Sequence, residues 1–403
     1  AAIDCGVKRV IALSSDKACV DYHARVELPD GRTRPIHRLV KDKDGARVVT
    51  VRGDRISDAP IVGWYKNKRL GRPMVGVSYV GGPRRGRNVR RVWVTNDHLV
   101  LTTRGWKPAG QLTSGHLLVT SEPSPNPEQM ALLVGTLLGD SSLVRTRARR
   151  SRYRLKLGHA LDQQQWLQMK LKGLAGFRFK ESVGAARRGR QRFIQAWSQG
   201  LACFSELAKL FYDSKGKKRV PRALFTECLR RREDILLATW FLDDGCHVRH
   251  VAGRASQARI ATHGLSRDDV RWLSELLMSK GYECYPYQAS VGGKKYWELR
   301  FSTEGARRLF AIVARGVPPS MRHKIPADLP DFWEPTWHLG EAVPHVAPAR
   351  IWRRGAPPPR HVYCLDIEET HNFAVGGVVL HNCQPINLYG ATKLCAEKLF
   401  VQG

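Results

Sequence analysis

The stretch VYCLDIEETHNFAVGGVVLHN, residues 362–382, closes on His381-Asn382 and is followed at once by Cys383. Far upstream another cysteine, Cys19, opens a short strand pattern, CVDYHARVEL (residues 19–28), that runs into a turn at Pro29-Asp30-Gly31. A Cys at one edge, His-Asn at the other and a Cys just past it place a nucleophile beside each of two backbone junctions. What lies outside those edges is short. Residues 1–18, AAIDCGVKRVIALSSDKA, read as an apolar strand from Val7 to Leu13 running into a polar turn. Residues 384–403, QPINLYGATKLCAEKLFVQG, read as a loop and then a helix. Neither piece can bury a core alone.

The chain of 403 residues has room for two or three domains. Its 67 Lys and Arg against 36 Asp and Glu give a net charge of +31, and 42% hydrophobic residues support packed cores rather than general disorder. No apolar run approaches the roughly 18 residues of a membrane span, and the first residues lack a signal-peptide layout. The nine Cys are scattered without CxxC pairs, which argues against a zinc module or a secreted disulfide framework. A cytoplasmic, monomeric protein with a polyanionic partner and no membrane association is expected, and nucleic acid is the leading partner.

The two edges support a self-contained reaction. The Cys19 sulfur can attack the carbonyl of Ala18 and convert that amide into a thioester, which exchanges far more readily than an amide. Cys383 can then take over the acyl group, and Asn382 can attack its own carbonyl through its side-chain amide and release the intervening segment as a cyclic imide. The remaining thioester rearranges to a peptide bond between Ala18 and Cys383, with no cofactor. This arrangement resembles the intein family, and further blocks agree. Thr95-Asn96-Asp97-His98, within VWVTNDHLVLT and before GWKPAGQL, matches the family's TxxH block, and residues 362–382 match its terminal blocks. The resemblance implies that His98 protonates the amide nitrogen at the first junction with help from Thr95, and that His371 and His381 assist Asn382. It also implies an all-β Hedgehog/intein (Hint) fold. Seven residues before His371 the family commonly carries Asp; here Cys364 stands there, and Asp366 lies two positions on, on the same face if this is a strand. Cys19 is kept as the nucleophile, and Cys364 is read as a modulator or redox-sensitive partner.

Between the edges, Pro123, Pro125 and Pro127 mark one linker, and a second Pro-rich stretch runs from Pro318 to Pro359. The enclosed segment opens with MALLVGTLLGDSSL (residues 130–143), apolar at helical spacing with Gly135 and Gly139 on one face and Asp140 at the helix end. A second such segment, LLATWFLDDGCHV (residues 236–248), ends at Asp243-Asp244-Gly245. If the helices pack side by side, Asp140 and Asp244 meet at the bottom of their interface. LVGTLLGDS and LATWFLDDG resemble the two signature motifs of LAGLIDADG (dodecapeptide, DOD-type) homing endonucleases, with the acid eighth of nine in each. HALDQQQWLQMKLKGL and ATHGLSRDDVRWLSELLMSKGYE resemble the helices that follow those motifs. The second motif has Thr239 and Asp243 where the first has Gly135 and Gly139, so the packing is expected to be asymmetric. The resemblance implies phosphodiester hydrolysis of double-stranded DNA, with Asp140 and Asp244 as hard oxygen ligands for Mg²⁺. A lysine assists in that family, and Lys217, Lys218, Lys294 and Lys295 are the candidates.

The basic runs suit a duplex, which carries about one charge per 1.7 Å of axis. In RTRARRSRYR, the residues Arg145, Arg147, Arg149, Arg150, Arg152 and Arg154 have no acid between them, and alternate positions would share one face of a strand. RRGRQRF (residues 187–193), Arg230-Arg231-Arg232, KNKRLGRP and RRGRNVRR add further charge. A single such run is ordinarily a solvated surface. Several of them beside two acidic helix ends favour DNA.

Joining residues 1–18 to 383–403 gives a composite that resembles the extended short-chain dehydrogenase/reductase family, closest to its UDP-N-acetylglucosamine 4,6-dehydratase branch. Tyr389 and Lys393 match the family's YxxxK pair, and Ser14, Ser15, Asp16 and Lys17 match the polar end of its active-site strand. The glycine-rich dinucleotide loop is absent, so the composite is an interrupted host fragment. The expected order is host fragment 1–18, splicing domain 19–122, inserted α/β endonuclease domain of two αββ repeats 123–345, splicing domain 346–382 and host fragment 383–403. The competing readings are an intein that splices but no longer cuts, a DNA-binding or maturase-like protein on this scaffold, and the dehydratase itself.

Overall fold

The computed structural model describes residues 19–69, 71–85, 88–146, 152–184, 192–248, 257–329, 339–356 and 361–382. The expectations for Ser14 to Lys17, Arg147, Arg149, Arg150, Cys383, Tyr389 and Lys393 fall outside them. The chain divides into two compact units, Ala1–Glu122 with Pro344–Gly403, and Pro123–Val343. No helix among the described residues is long and apolar enough to cross a membrane.

The described part of the first unit is strands and turns, apart from the short helix Ile36–Lys41 and a single 3-10 turn at Ala109–Gln111. Runs such as MVGVSY, Met74–Tyr79, are buried at every position, as strands covered on both faces are. Strands from the two sequence-distant pieces interleave in one hydrogen-bonded path. Val20 pairs with Val94 on one side and with Tyr363 on the other, so Cys19 enters the sheet between Val92–Thr95 and His361–Ile367.

Two local devices shape the C-terminal piece. Asn372–Val375 and Val378–His381 form a hairpin whose two-residue turn, Gly376-Gly377, has φ of +58° and +84°. Glycine is required there because both central residues of such a turn are left-handed, and a Cβ on Gly377 would also collide with the Tyr79 hydroxyl. The second device is a bulge. His361–Ile367 pairs with Arg55–Lys68, but the register slips between Asp366, opposite Gly63, and Ile367, opposite Ile61. Bulges re-aim the side chains beside them, and a Cβ on Gly63 would lie 2.8 Å from that of Asp366.

The second unit repeats one pattern. Helix Pro127–Leu138 is followed by strands Ser142–Arg145 and Tyr153–Ala160, helix Gln164–Gly173, strands Phe179–Gly184 and Phe193–Ser198, and helix Ala202–Phe211. The second half runs likewise: helix Arg222–Asp244, strands Gly245–Val248 and Gln257–Ala261, helix Arg267–Ser279, strands Cys284–Val291 and Lys294–Phe301, and helix Thr303–Val313. Each half carries a four-stranded antiparallel sheet in matching order. The αββ unit read from sequence is the opening of each half.

Helix Pro127–Leu138 starts on a capping box, Asn126 with Gln129, and has Pro127 at its first position. The long helix Arg222–Asp244 is broken at Arg232 (φ −147°, ψ 64°), so its signature half is a separate straight segment. The two signature helices meet at their glycines. A Cβ on Gly135 would lie 2.7 Å from the Leu236 carbonyl oxygen and 2.9 Å from Thr239 Cβ, and one on Gly139 would lie 2.5 Å from Asp243 Cβ. Each glycine therefore faces the larger residue of the other motif, and the asymmetry is accommodated from one side.

Candidate functional site

In the first unit, strand His361–Ile367 serves both junctions: it pairs with the strand that follows Cys19 and carries Asp366, which Asn382 contacts. Cys19 is fully buried. Its amide N–H, on the nitrogen that joins it to Ala18, donates to Thr95 Oγ1 at 2.9 Å. The Thr95 N–H donates back to the Cys19 carbonyl at 2.9 Å. Thr95 sits at the end of strand Val92–Thr95 and opens a turn in which the His98 N–H donates to the Thr95 carbonyl at 3.0 Å. His98 is fully buried. Asn67, a residue that the motifs did not single out, donates from Nδ2 to the Cys19 sulfur at 3.3 Å.

At the other junction, the Asn382 N–H donates to the His371 carbonyl at 2.8 Å. Its side-chain Nδ2 donates to Asp366 Oδ1 and to the Ile367 carbonyl at 3.2 Å, with His371 Nδ1 3.4 Å away. His371 is held at φ +52°, an uncommon backbone for a non-glycine residue. His381 Nδ1 is 3.1 Å from the Asn382 carbonyl oxygen, and the Trp106 ring stands edge-on to the imidazole at 4.7 Å. Burial pushes the His381 pKa down, so the ring is biased to neutral, although Asp366 acts in the opposite direction. Cys364 is fully buried on the strand that carries Asp366.

In the second unit, Asp140 and Asp244 stand at the C-terminal ends of the two signature helices. Burial and the charge of Asp243 push the Asp140 carboxyl up to about 6. Burial, Asp140 and Asp243 push Asp244 up to about 7. Two lysines face the pair. Lys218 Nζ donates to the Gly139 carbonyl at 3.3 Å, and Lys324 Nζ to the Leu242 and Asp243 carbonyls at 2.6 and 2.7 Å. Each lysine thus caps one signature helix, where the helix dipole is negative, and burial lowers the pKa of both. Of the four lysines named from sequence, Lys218 is the one placed at the acids. Lys217 lies in the Asp213 turn, and Lys294 and Lys295 follow the turn at Gly292-Gly293. Lys324 was missed because it lies in the Pro-rich stretch read as a linker. A signal existed: Lys218-Arg219-Val220-Pro221 and Lys324-Ile325-Pro326 are related phrases, one per half.

Beneath the acids lies a buried polar cluster that the motifs did not reveal. Asp243, fully buried, accepts from Thr136 Oγ1 at 2.7 Å, from Trp166 Nε1 at 2.7 Å and from Lys170 Nζ at 2.9 and 3.1 Å. Burial alone would raise its carboxyl; Lys170 and the other donors outweigh that and hold it below the ordinary value. His159 lies between the carboxylates, 3.7 Å from Asp140 and 3.8 Å from Asp243. Burial and Lys170 push its pKa down to about 3, so it is neutral and these approaches are not ion pairs. Asp140, His159 and Asp243 are close enough to share a cation, but Lys170 already occupies Asp243. Asp140 and Asp244 offer two hard oxygen donors at the helix ends that Lys170 does not occupy, and the charge of Asp140 adds to the rise of Asp244.

The arginine run needs a correction. Its described ends lie on two paired strands rather than one: Ser142–Arg145 pairs with Tyr153–Ala160, Arg145 opposite Tyr153. Arg152 is buried and donates to the Gly200 carbonyl at 2.9 Å, so it serves the fold and cannot contact DNA from a surface. Arg145 donates to the Tyr153 hydroxyl at 2.8 Å, and Arg154 lies 4.0 Å over the Trp197 ring. Arg154, Arg178, Lys180 and Trp197 line a depression of about 430 Å³ on this sheet.

Comparisons with known proteins bear on this geometry. Residues 130–309 match the LAGLIDADG DNA endonuclease family. The chain is 28% identical over 387 residues to a protein named RecA from Mycobacterium shimoidei, a match covering 90% of this chain and 86% of that relative. Among solved structures, the homing endonuclease I-WcaI bound to its DNA recognition sequence overlaps 51% of this chain and 89% of its own, at 15% identity and a TM-score of 0.42. A DnaB intein from Synechocystis sp. PCC 6803 overlaps 26% of this chain and 68% of its own, at 15% identity and a TM-score of 0.21.

Proposed function

We propose that the segment from Cys19 to Asn382 is an intein that excises itself and joins Ala18 to Cys383, and that its inserted unit cleaves double-stranded DNA. One observation carries the splicing part. The nitrogen of the bond that must break first is held on the Thr95 hydroxyl, and the side-chain amide that must cyclise is held among Asp366, Ile367 and His371 in the same unit. A protein that only bound nucleic acid would have no use for either arrangement.

Thr95 fixes the amide nitrogen while the Cys19 sulfur attacks Ala18, and His98 delivers the proton that the departing nitrogen needs. Cys383 accepts the acyl group. Asn382 then closes on its own carbonyl, whose oxygen is within reach of His381. Neutral His381 donates a hydrogen bond there, which favours charge developing on that oxygen.

The family match over 130–309 supports the nuclease part. Asp140 and Asp244 would hold a divalent cation, Mg²⁺ in the first instance. When bound, such an ion activates water and neutralises charge on the leaving oxygen. Lys218 and Lys324 bring positive charge to the same place, and the Arg154–Trp197 surface suits a phosphate backbone. The resemblance of the flanks to a short-chain dehydrogenase/reductase makes the uninterrupted gene of such a host the proposed target. The relative named RecA matches over a share of the chain equal to that between Cys19 and Asn382, which fits a mobile segment found in different hosts.

Both parts have direct tests. Cys19→Ala and Asn382→Ala should each abolish ligation, the second leaving a branched species. The purified segment with Mg²⁺ should linearise a plasmid carrying the joined host sequence, and Asp140→Asn should not. Ligation by both variants, or cleavage by Asp140→Asn at the unaltered rate, would remove the proposal.

A further inference from the structure

We infer that Asp366 is a catalytic residue of the second junction, the base that takes the proton from Asn382 Nδ2 as the side chain cyclises. The inference rests on the splicing reading above and assigns a step within it. Its basis is the set of atoms around one nitrogen. Nδ2 of Asn382 faces the Asp366 carboxylate, the Ile367 carbonyl and His371 Nδ1, all of which can accept. That surrounding fixes the amide orientation, because the reversed amide would set its oxygen against a carboxylate and a carbonyl. The nucleophilic nitrogen is thereby identified by geometry, and a carboxylate sits on it.

An amide nitrogen is a poor nucleophile while it keeps both protons, so the step needs an acceptor at that atom. Of the three, the Ile367 carbonyl cannot take a proton at any accessible pH. His371 Nδ1 lies farther off at 3.4 Å. Asp366 is in direct hydrogen-bond contact; the register slips beside it, with Val62 of the facing strand left over, and Gly63 opposite leaves room for its Cβ. Asp366 is half-buried, so it can exchange the proton with solvent afterwards.

The step balances within the chain. A bond forms between Asn382 Nδ2 and the Asn382 carbonyl carbon, and the bond from that carbon to the nitrogen of residue 383 breaks. One proton passes from Nδ2 to Asp366, one is taken up by the departing amine, and Asp366 returns its own to solvent. His381 and Asp366 then divide the work: one stabilises the carbonyl oxygen, the other the attacking nitrogen.

The test uses the full chain and its Asp366→Asn variant under reducing conditions. Two rates are followed by mass spectrometry: thiol-induced cleavage between Ala18 and Cys19, and cleavage after Asn382. The unaltered chain must splice; if it does not, the splicing reading fails before this one is tested. In Asp366→Asn the first cleavage should keep its rate while the second slows about 100-fold or more, the usual scale for losing a general base. The branched species should accumulate, and Asp366→Glu should recover part of the lost rate. Cleavage after Asn382 at the unaltered rate would overturn the assignment. So would equal loss of both cleavages, which would make Asp366 a structural residue.

Discussion

Thr95 and Cys19 are bonded to each other twice, the Cys19 N–H to the Thr95 hydroxyl and the Thr95 N–H to the Cys19 carbonyl, both at 2.9 Å. The main-chain bond sets the register, and the side-chain bond holds the nitrogen of the Ala18–Cys19 bond, the one proposed to break first. Thr95→Val keeps the shape and the register and removes only the second. The first acyl shift should slow by about tenfold, the equivalent of one ordinary hydrogen bond. The rate of thiol-induced cleavage at Ala18–Cys19, with the thermal midpoint as control, checks it.

The acid pair predicts a pH-dependent stability. Asp140 and Asp244 are raised to about 6 and about 7. A raised carboxyl favours the folded state below its unfolded pKa near 4, and that contribution is lost as pH rises through the folded value. In metal-free protein the contribution of this pair should therefore be lost between about pH 4 and pH 7, and Asp244→Asn should be more stable than the parent at pH 8 but not at pH 4. Calorimetry at both pH values reads the difference.

A divalent cation should reverse that loss. Binding requires both carboxylates ionised, so added Mg²⁺ should raise the Tm at pH 8 and do little at pH 5. At an ion concentration 100 times Kd the gain is about 2.7 kcal/mol. Asp140→Asn should abolish the effect, and an equal shift at both pH values would disconnect the ion from these acids.

The buried pair Lys170–Asp243 should be costly to break from one side. Both side chains are fully buried, and removing one partner of such a pair costs about 3–5 kcal/mol. Lys170→Met should lower the stability of the second unit by that amount. Lys170→Met with Asp243→Leu should recover part of it, because no charge is then left alone. Denaturant unfolding of the three proteins measures both.

Gly139 carries a steric prediction. Its absent Cβ is what lets Asp243 approach, with 2.5 Å left between Cβ positions. Gly139→Ala should destabilise by about 1–3 kcal/mol and reduce DNA cleavage, since the acids depend on the helix spacing. Gly53, with open space around it, offers no such clash.

What could be read from the sequence was what short range encodes. Cys19, Asn382 and Cys383 announce their chemistry by position, and the glycines of LVGTLLGDS announce a close helix contact by spacing. What could not be read depends on distant partners. Arg152 looks like its neighbours in a basic run, but its side chain turns inward to the Gly200 carbonyl. Asp243 looks like a doubled acid, but Lys170, seventy-three positions away, makes it structural. Asp366 stands two places from the expected acid, and its contact with Asn382 appears once the strands are paired.

The most direct test of the account is the intact mass of the chain after expression and purification under reducing conditions. Splicing predicts two products, one spanning residues 19–382 and one in which residues 1–18 are joined to 383–403 through a peptide bond between Ala18 and Cys383. A single mass for the unbroken chain, in protein shown to be folded and reduced, would contradict the central claim.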